Sequence, residues 1–224
     1  MEYNENKIVI FDWGGIVESH RKGENNYFKI IINIIKSINP NINENEVISL
    51  WKKCTYDKHG RSISTCKRLK DVEKWFSRIK EAYNLKCDFT TFCSIYKKEF
   101  HNVDYYKDMV ELEHETKKRC KIGILSNLML LDRERLNEQI DLNKFDYVWL
   151  SFELGEIKPN NKIYEIVEKD CNISPKNILF IDDREENVIV ARKRGWNICN
   201  YPGYEINKIK SRIEEFITNI CKEG

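Results

Sequence analysis

The chain has 224 residues, 41% of them hydrophobic and 33% charged, with a formal net charge of +2. That length suits one large domain, or a core with a smaller second domain, and the hydrophobic fraction is enough for a real core. The near-balance of charge provides no long-range attraction to nucleic acid or to an anionic membrane, so neither is expected as a partner. The eight cysteines contain no CxxC pair, which argues against a zinc site. The polar start, MEYNENK, leads into an apolar run of only four residues, and no stretch is long enough to span a bilayer. The expectation is a cytoplasmic protein with reduced thiols; the sequence is silent on oligomeric state.

The stretch KIVIFDWGGIV, residues 7–17, sets the reading of everything after it. Ile8, Val9, Ile10 and Phe11 form an unbroken β-branched and aromatic run, which suits a strand buried on both faces in a parallel sheet. Asp12 then stands at the carboxyl end of that strand, where open α/β sheets bind ligands. Gly14 and Gly15 allow a tight turn there. From 24 to 38 an apolar face at Tyr27, Phe28, Ile31, Ile34, Ile35 and Ile38 has helical spacing, stopped by Asn39-Pro40. A second helix is expected over 44–53, and 57–64 reads as a loop whose Ser64 caps the next helix. That helix directs Leu69, Val72, Phe76, Ile79 and Tyr83 inward, and another from Asp88 directs Phe89, Phe92, Cys93, Tyr96 and Phe100. Residues 18–103 therefore read as an all-α insertion after the first strand.

From Asp104 helices and strands alternate. A helix over 104–118 leads to a strand 120–125 that ends at Ser126-Asn127; a helix follows through Leu136 and Ile140, then a strand over 146–150. Lys158-Pro159 opens a helix with Pro159 in its first turn, and Ser174-Pro175 ends that unit. A strand over 177–181 ends at Asp182-Asp183, a helix over 185–194 stops at Gly195, a strand covers 196–201, and a last helix carries Ile206, Ile209, Ile213, Phe216, Ile217 and Ile220. Such alternation predicts an α/β fold, a parallel sheet flanked by helices.

The polar residues at the strand ends converge in that fold: Asp12 after the first strand, Ser126 and Asn127 after the second, Asp182 and Asp183 after the fourth, with Lys158 ahead of a helix. Adjacent carboxylates repel unless a cation joins them, and oxygen ligands of this kind suit Mg²⁺. A carboxylate nucleophile, a metal, a lysine and a hydroxyl together support phosphoryl transfer.

Four segments, FDWGGIV (11–17), ILSN (124–127), GEIKPNNKIYEIV (155–167) and ILFIDDREENVIVARKRG (178–195), occur in an order and spacing that resemble the haloacid dehalogenase-like hydrolases. The resemblance implies a Rossmann-like core of residues 1–17 and 104–224 with a helical cap domain, 18–103, inserted after the first motif. It implies Asp12 as nucleophile, with Ser126 and Lys158 completing the catalytic set, and Ser126, Asn127 and Lys158 on the phosphate of a small phosphorylated substrate. It also implies Mg²⁺ held by Asp12, the Gly14 carbonyl and Asp183, with Asp182 in support. One position departs from the pattern. Most phosphatases of the family carry a second Asp two residues after the nucleophile, as general acid and base, and here Gly14 stands there. The chain looks most like the branch that resembles glucose-1-phosphate phosphatases, which shares the Asp-x-Gly pattern, and its 59–64 loop resembles a turn common in that branch. A sugar phosphate is the expected substrate, since an anomeric oxygen leaves with less help from an acid. His20 and Glu18 are weighed as stand-ins for that acid, with an exposed linker histidine the favoured reading of His20. His59 and Arg61 read as an ordinary surface loop, and Trp13 as packing under the cap or shaping the pocket. Two further readings stay open: a metal-independent dehalogenase using Asp12, and a non-catalytic binding protein.

Overall fold

The structure, a computed structural model, describes residues 3–19, 27–101 and 103–218. Five parallel strands form one sheet in the order β3-β2-β1-β4-β5: β1 (Asn4–Phe11), β2 (Cys120–Ser126), β3 (Tyr147–Leu150), β4 (Ile178–Ile181) and β5 (Asn197–Cys199). The continuous apolar run of β1 has the expected cause. Ile8 and Ile10 face one apolar cluster with Ile163, Val167 and Trp196, while Val9 and Phe11 face another with Met109, Ile209 and Ile213. From Ile8 to Phe11 both faces of the central strand are dry, which is why this half of it is uninterrupted by polar side chains. Phe11 pairs with Ile124 on one side and Ile181 on the other, so β1, β2 and β4 end at one edge. The chain runs outward from β1 to β3 and then crosses to β4 on the other side, which places the reversal of strand order beside β1.

The helices are α1 (Tyr27–Ile38), α2 (Glu44–Cys54), α3 (Leu69–Ala82), α4 (Phe89–His101), α5 (Lys107–Lys117), α6 (Arg133–Gln139), α7 (Ser151–Leu154), α8 (Asn161–Cys171), α9 (Glu185–Lys193) and α10 (Ile206–Thr218). Helices α1 to α4 bury their own apolar cluster, centred on Ile31, Trp51, Trp75, Phe76, Phe92 and Tyr96, to which Met129 and Leu131 are added from the loop after β2. Two antiparallel crossings join this layer to the sheet: Ser19 N–H donates to Asp104 O (2.8 Å), and Tyr106 N–H to Val17 O (2.9 Å). Among the described residues no helix is long and apolar enough to cross a membrane. The seven described cysteines are free thiols.

Several local expectations are corrected. The helix expected from Asp104 begins at Lys107, because Asp104 and Tyr106 spend their backbone groups on the crossing to Val17 and Ser19. Ser64 caps nothing: the Ser62 hydroxyl accepts from Ser64 N (3.2 Å) to start a 3₁₀ turn, and α3 follows Arg68 without a side-chain cap. Leu69, expected inward, is 56% exposed, since the buried stripe of α3 starts at Val72. Pro159 precedes the Asn160 cap of α8 instead of entering its first turn. The strand expected over 196–201 narrows to β5, and α7 has no counterpart in the sequence reading. Gly195 ends α9 at φ +86°, as expected. Residues 24–26 of the first expected helix, and Ile220, lie outside the described residues.

Glu113, on α5, is buried with Oε1 unmatched among the described residues. Burial pushes its carboxyl up to about 8, with Lys144 pulling weakly the other way. The folded state therefore holds its proton above the unfolded value of ~4.3, and stability should fall as pH rises from there through about 8. Glu113→Gln is expected to be neutral near pH 4 and stabilising by ~1–3 kcal/mol at pH 9. Urea midpoints of parent and variant across that range check this, and a difference that does not grow with pH contradicts it.

Candidate active site

Asp12 leaves β1 buried, its backbone N–H bonded to Ile181 O (2.9 Å). The chain then turns at once: Val17 N–H and Glu18 N–H both donate to Trp13 O (3.0 and 2.9 Å), and Gly15 N–H donates to Glu18 O (2.9 Å). Two glycines make this turn fit its surroundings. At Gly15, φ is +82° and a Cβ would lie 2.5 Å from Asp183 Oδ2, so the missing side chain is where the Asp183 carboxylate sits. At Gly203 a Cβ would lie 2.0 Å from Ile16 O, and Gly203 N–H donates to Gly15 O (2.8 Å), so the loop after β5 backs the turn.

Three donors converge on one oxygen of Asp12. Trp13 N–H (2.7 Å), Ser126 Oγ (2.7 Å) and Lys158 Nζ (2.9 Å) all meet Oδ1. Oδ2 accepts no hydrogen bond from the described residues, which leaves it open to a reactant. Lys158 Nζ also meets Asp182 Oδ2 at 2.7 Å and lies over the Phe180 ring, 5.3 Å from its centroid. Burial alone would lower the Lys158 pKa, but Asp12 and Asp182 outweigh it and hold the ammonium charged. Asp182 is fully buried, and its remaining bonds come from Arg184 N–H (2.9 Å) and the Asn187 amide (2.8 and 3.0 Å). Burial pushes its carboxyl up, against the pull of Lys158.

The carboxylates of Asp12, Asp182 and Asp183 bring one oxygen each to within 4.8 Å of one another, Asp183 being the exposed member. Lys158 offsets one negative charge of the three. An all-oxygen donor set with surplus negative charge, and the room that Gly15 leaves for the Asp183 carboxylate, fit a hard divalent cation such as Mg²⁺. Asp12, Asp182 and Asp183 could hold such a cation, Asp182 being also bonded to Lys158 and Asn187.

The structure thus brings Asp12, Ser126, Lys158, Asp182, Asp183 and the Gly14–Gly15 turn together. Asn127 stands one step back: its Nδ2 donates to Lys158 O and its Oδ1 accepts from Lys158 N–H, both at 2.8 Å. Its amide fixes the lysine backbone. Asn187 fastens Asp182 in the same way. Glu18 is buried and accepts from Trp13 Nε1 (3.0 Å) and Arg135 Nη1 (2.5 Å), so it is committed to those partners. His20 lies outside the described residues. Arg61 pairs with Asp57 (2.8 Å) in an exposed loop. Arg135 escaped sequence reasoning; in the run Asp132-Arg133-Glu134-Arg135 nothing local sets it apart from its charged neighbours.

This chain is similar to several known proteins. A stretch of 51 residues is 33% identical to a D-ribitol-5-phosphate phosphatase of Bacteroides thetaiotaomicron, and it spans 23% of this chain and a quarter (25%) of that relative. A haloacid dehalogenase family enzyme from Bacteroides thetaiotaomicron, crystallised with magnesium and inorganic phosphate, superposes with a TM-score of 0.66 at 18% identity, over 88% of this chain and 94% of that one. An L-2-haloacid dehalogenase of Xanthobacter autotrophicus superposes with a TM-score of 0.56 at 18% identity, over 86% of this chain and 76% of that one. At such identities the two structures share the fold and say nothing of which chemistry is run on it. Residues 30–200 match the haloacid dehalogenase-like hydrolases as a family, three-quarters of the chain, and the protein therefore belongs to that family.

Proposed function

We propose that this protein is a Mg²⁺-dependent phosphatase that hydrolyses a small phosphorylated metabolite through an aspartyl-phosphate on Asp12. The observation that carries the reading is the convergence of Trp13 N–H, Ser126 and Lys158 on Oδ1 of a buried carboxylate beside Asp182 and Asp183. Oδ2 attacks phosphorus; a bond forms from Asp12 to phosphorus, the ester P–O bond breaks, and the leaving oxygen keeps the electron pair and takes a proton from water. Water then adds to phosphorus, releasing inorganic phosphate and restoring the carboxylate. Lys158 and Ser126 hold the non-bridging oxygens in line with the nucleophile, and Asn127 holds Lys158. Mg²⁺, when bound, offsets the charge of the transferring group. The helices α1 to α4, with their own apolar cluster and a double crossing at Val17–Ser19 and Asp104–Tyr106, act as a cap that selects the substrate.

Gly14 supplies no side-chain acid, and Glu18 is committed to Arg135. Leaving groups that need little protonation should therefore be favoured, sugar 1-phosphates and acyl phosphates over simple alkyl esters. The ribitol-phosphate relative points instead to an alkyl phosphate of a polyol, so a substrate panel separates the two. Hydrolysis of p-nitrophenyl phosphate with and without Mg²⁺ tests the reading itself: Mg²⁺-dependent turnover is expected, and halide release from a 2-haloacid without metal would replace it with the dehalogenase reading. The acidic pair Asp182-Asp183 counts against the latter, because it sets negative charge beside a departing halide.

Gly15→Ala tests the metal arm. The new Cβ would overlap Asp183 Oδ2 and strain a left-handed backbone. The Mg²⁺ concentration for half-maximal turnover is expected to rise at least ~10-fold, the scale of displaced metal-site support. An unchanged Mg²⁺ titration contradicts the placement of Asp183.

A further inference from the structure

A second cluster of buried charge lies outside the phosphoryl site. Glu18, Asp132 and Arg135 are 3%, 4% and 4% exposed. Arg135 Nη1 donates to Glu18 Oε2 at 2.5 Å and Nη2 to Asp132 Oδ1 at 3.3 Å. Glu18 Oε2 also accepts from Trp13 Nε1, at 3.0 Å. Asp132 accepts from the Tyr96 hydroxyl of α4 at 3.2 Å and from Met129 N–H at 2.8 Å. The guanidinium lies 5.5 Å from the centroid of the Phe100 ring, also on α4.

Burying three charges is costly, and such sets are weak devices for stability. Arg135 Nε has no hydrogen-bond partner among the described residues, which adds to that cost. What the cluster achieves is geometric. The 13–18 turn carries Trp13, whose N–H bonds the nucleophile, and the 127–132 loop follows directly from Ser126, whose hydroxyl bonds the same oxygen. Arg135 joins these two segments, and Asp132 joins both to α4. A lysine cannot copy this, because a point charge lacks the planar fork that reaches two carboxylates.

We infer that Arg135 is a positioning residue for the chemistry at Asp12: it fixes the 13–18 turn against the 127–132 loop and, through Asp132 and Tyr96, against α4. The kinetic consequence rests on the phosphatase reading; the structural one does not.

The test compares the parent with Arg135→Lys and with a triple variant, Glu18→Gln, Asp132→Asn and Arg135→Met, which removes all three charges together so that none is left buried and unpaired. Two quantities are read: kcat and KM for p-nitrophenyl phosphate with Mg²⁺, and amide hydrogen exchange across 13–18. Positioning predicts that kcat falls ~10–100-fold in both variants, the scale of a misplacement of about 1 Å, while KM stays within ~3-fold. Exchange across 13–18 rises at least ~10-fold, with β1 unchanged. A folded variant of either kind with parental kcat and parental exchange overturns the inference. If the triple variant fails to fold, Arg135→Lys decides alone. A parent inactive on every phosphate ester refutes the phosphatase reading, and exchange across 13–18 then decides this one.

Discussion

Replacing Lys158 with methionine is expected to lower turnover about 10³-fold and to cost about 3–5 kcal/mol of stability. Both effects have one source. The ammonium is 1% exposed and sits 2.9 Å from Asp12 Oδ1 and 2.7 Å from Asp182 Oδ2. Without it two buried carboxylates face each other with no counter-charge, and the incoming phosphate loses a fixed cation. The remedy separates the two losses: adding Asp182→Asn removes the unpaired charge and should recover most of the stability while recovering none of the turnover. Urea unfolding and p-nitrophenyl phosphate kinetics on the single and double variants check this. A Lys158→Met protein with parental turnover would remove the lysine from the reaction.

Asp12→Asn is expected to remove turnover by at least about 10³-fold while the fold stays intact. The amide oxygen can still accept from Trp13 N–H, Ser126 and Lys158, so the three bonds on Oδ1 survive. What is lost is the anionic oxygen that attacks phosphorus, since an amide is not a nucleophile. Near-parental thermal unfolding with absent turnover is the expected pair of results. Appreciable residual turnover would mean that water, not Asp12, attacks the substrate.

The residues of the site were legible in the sequence because strand ends are fixed by local pattern. The run Ile8–Phe11 is apolar on both faces, so its end at Asp12 is abrupt, and Ser126 and Asp182 end their strands in the same way. A parallel sheet then brings such ends to one edge without further information. The misreadings share a different cause. Asp104–Tyr106 has helix-compatible residues but is drawn into an extended crossing by partners about 90 residues earlier in the chain. Four-residue α7 is too short to show a period. Asp132 and Arg135 lie in a charge-rich stretch with no local sign of burial; their burial depends on α4 and Glu18, which no local window contains. Asn127 lay on the right strand end, but only the structure shows its amide turned to the Lys158 backbone.

The central claim is a covalent phosphoryl group on Asp12, and trapping it tests that claim most directly. Enzyme turning over p-nitrophenyl phosphate with Mg²⁺ would be quenched in acid, digested and weighed peptide by peptide. The account predicts a phosphoryl group on the peptide that contains Asp12, discharged by hydroxylamine and absent from Asp12→Asn. Full turnover with that peptide unmodified, or with the phosphoryl group on another residue, would contradict it.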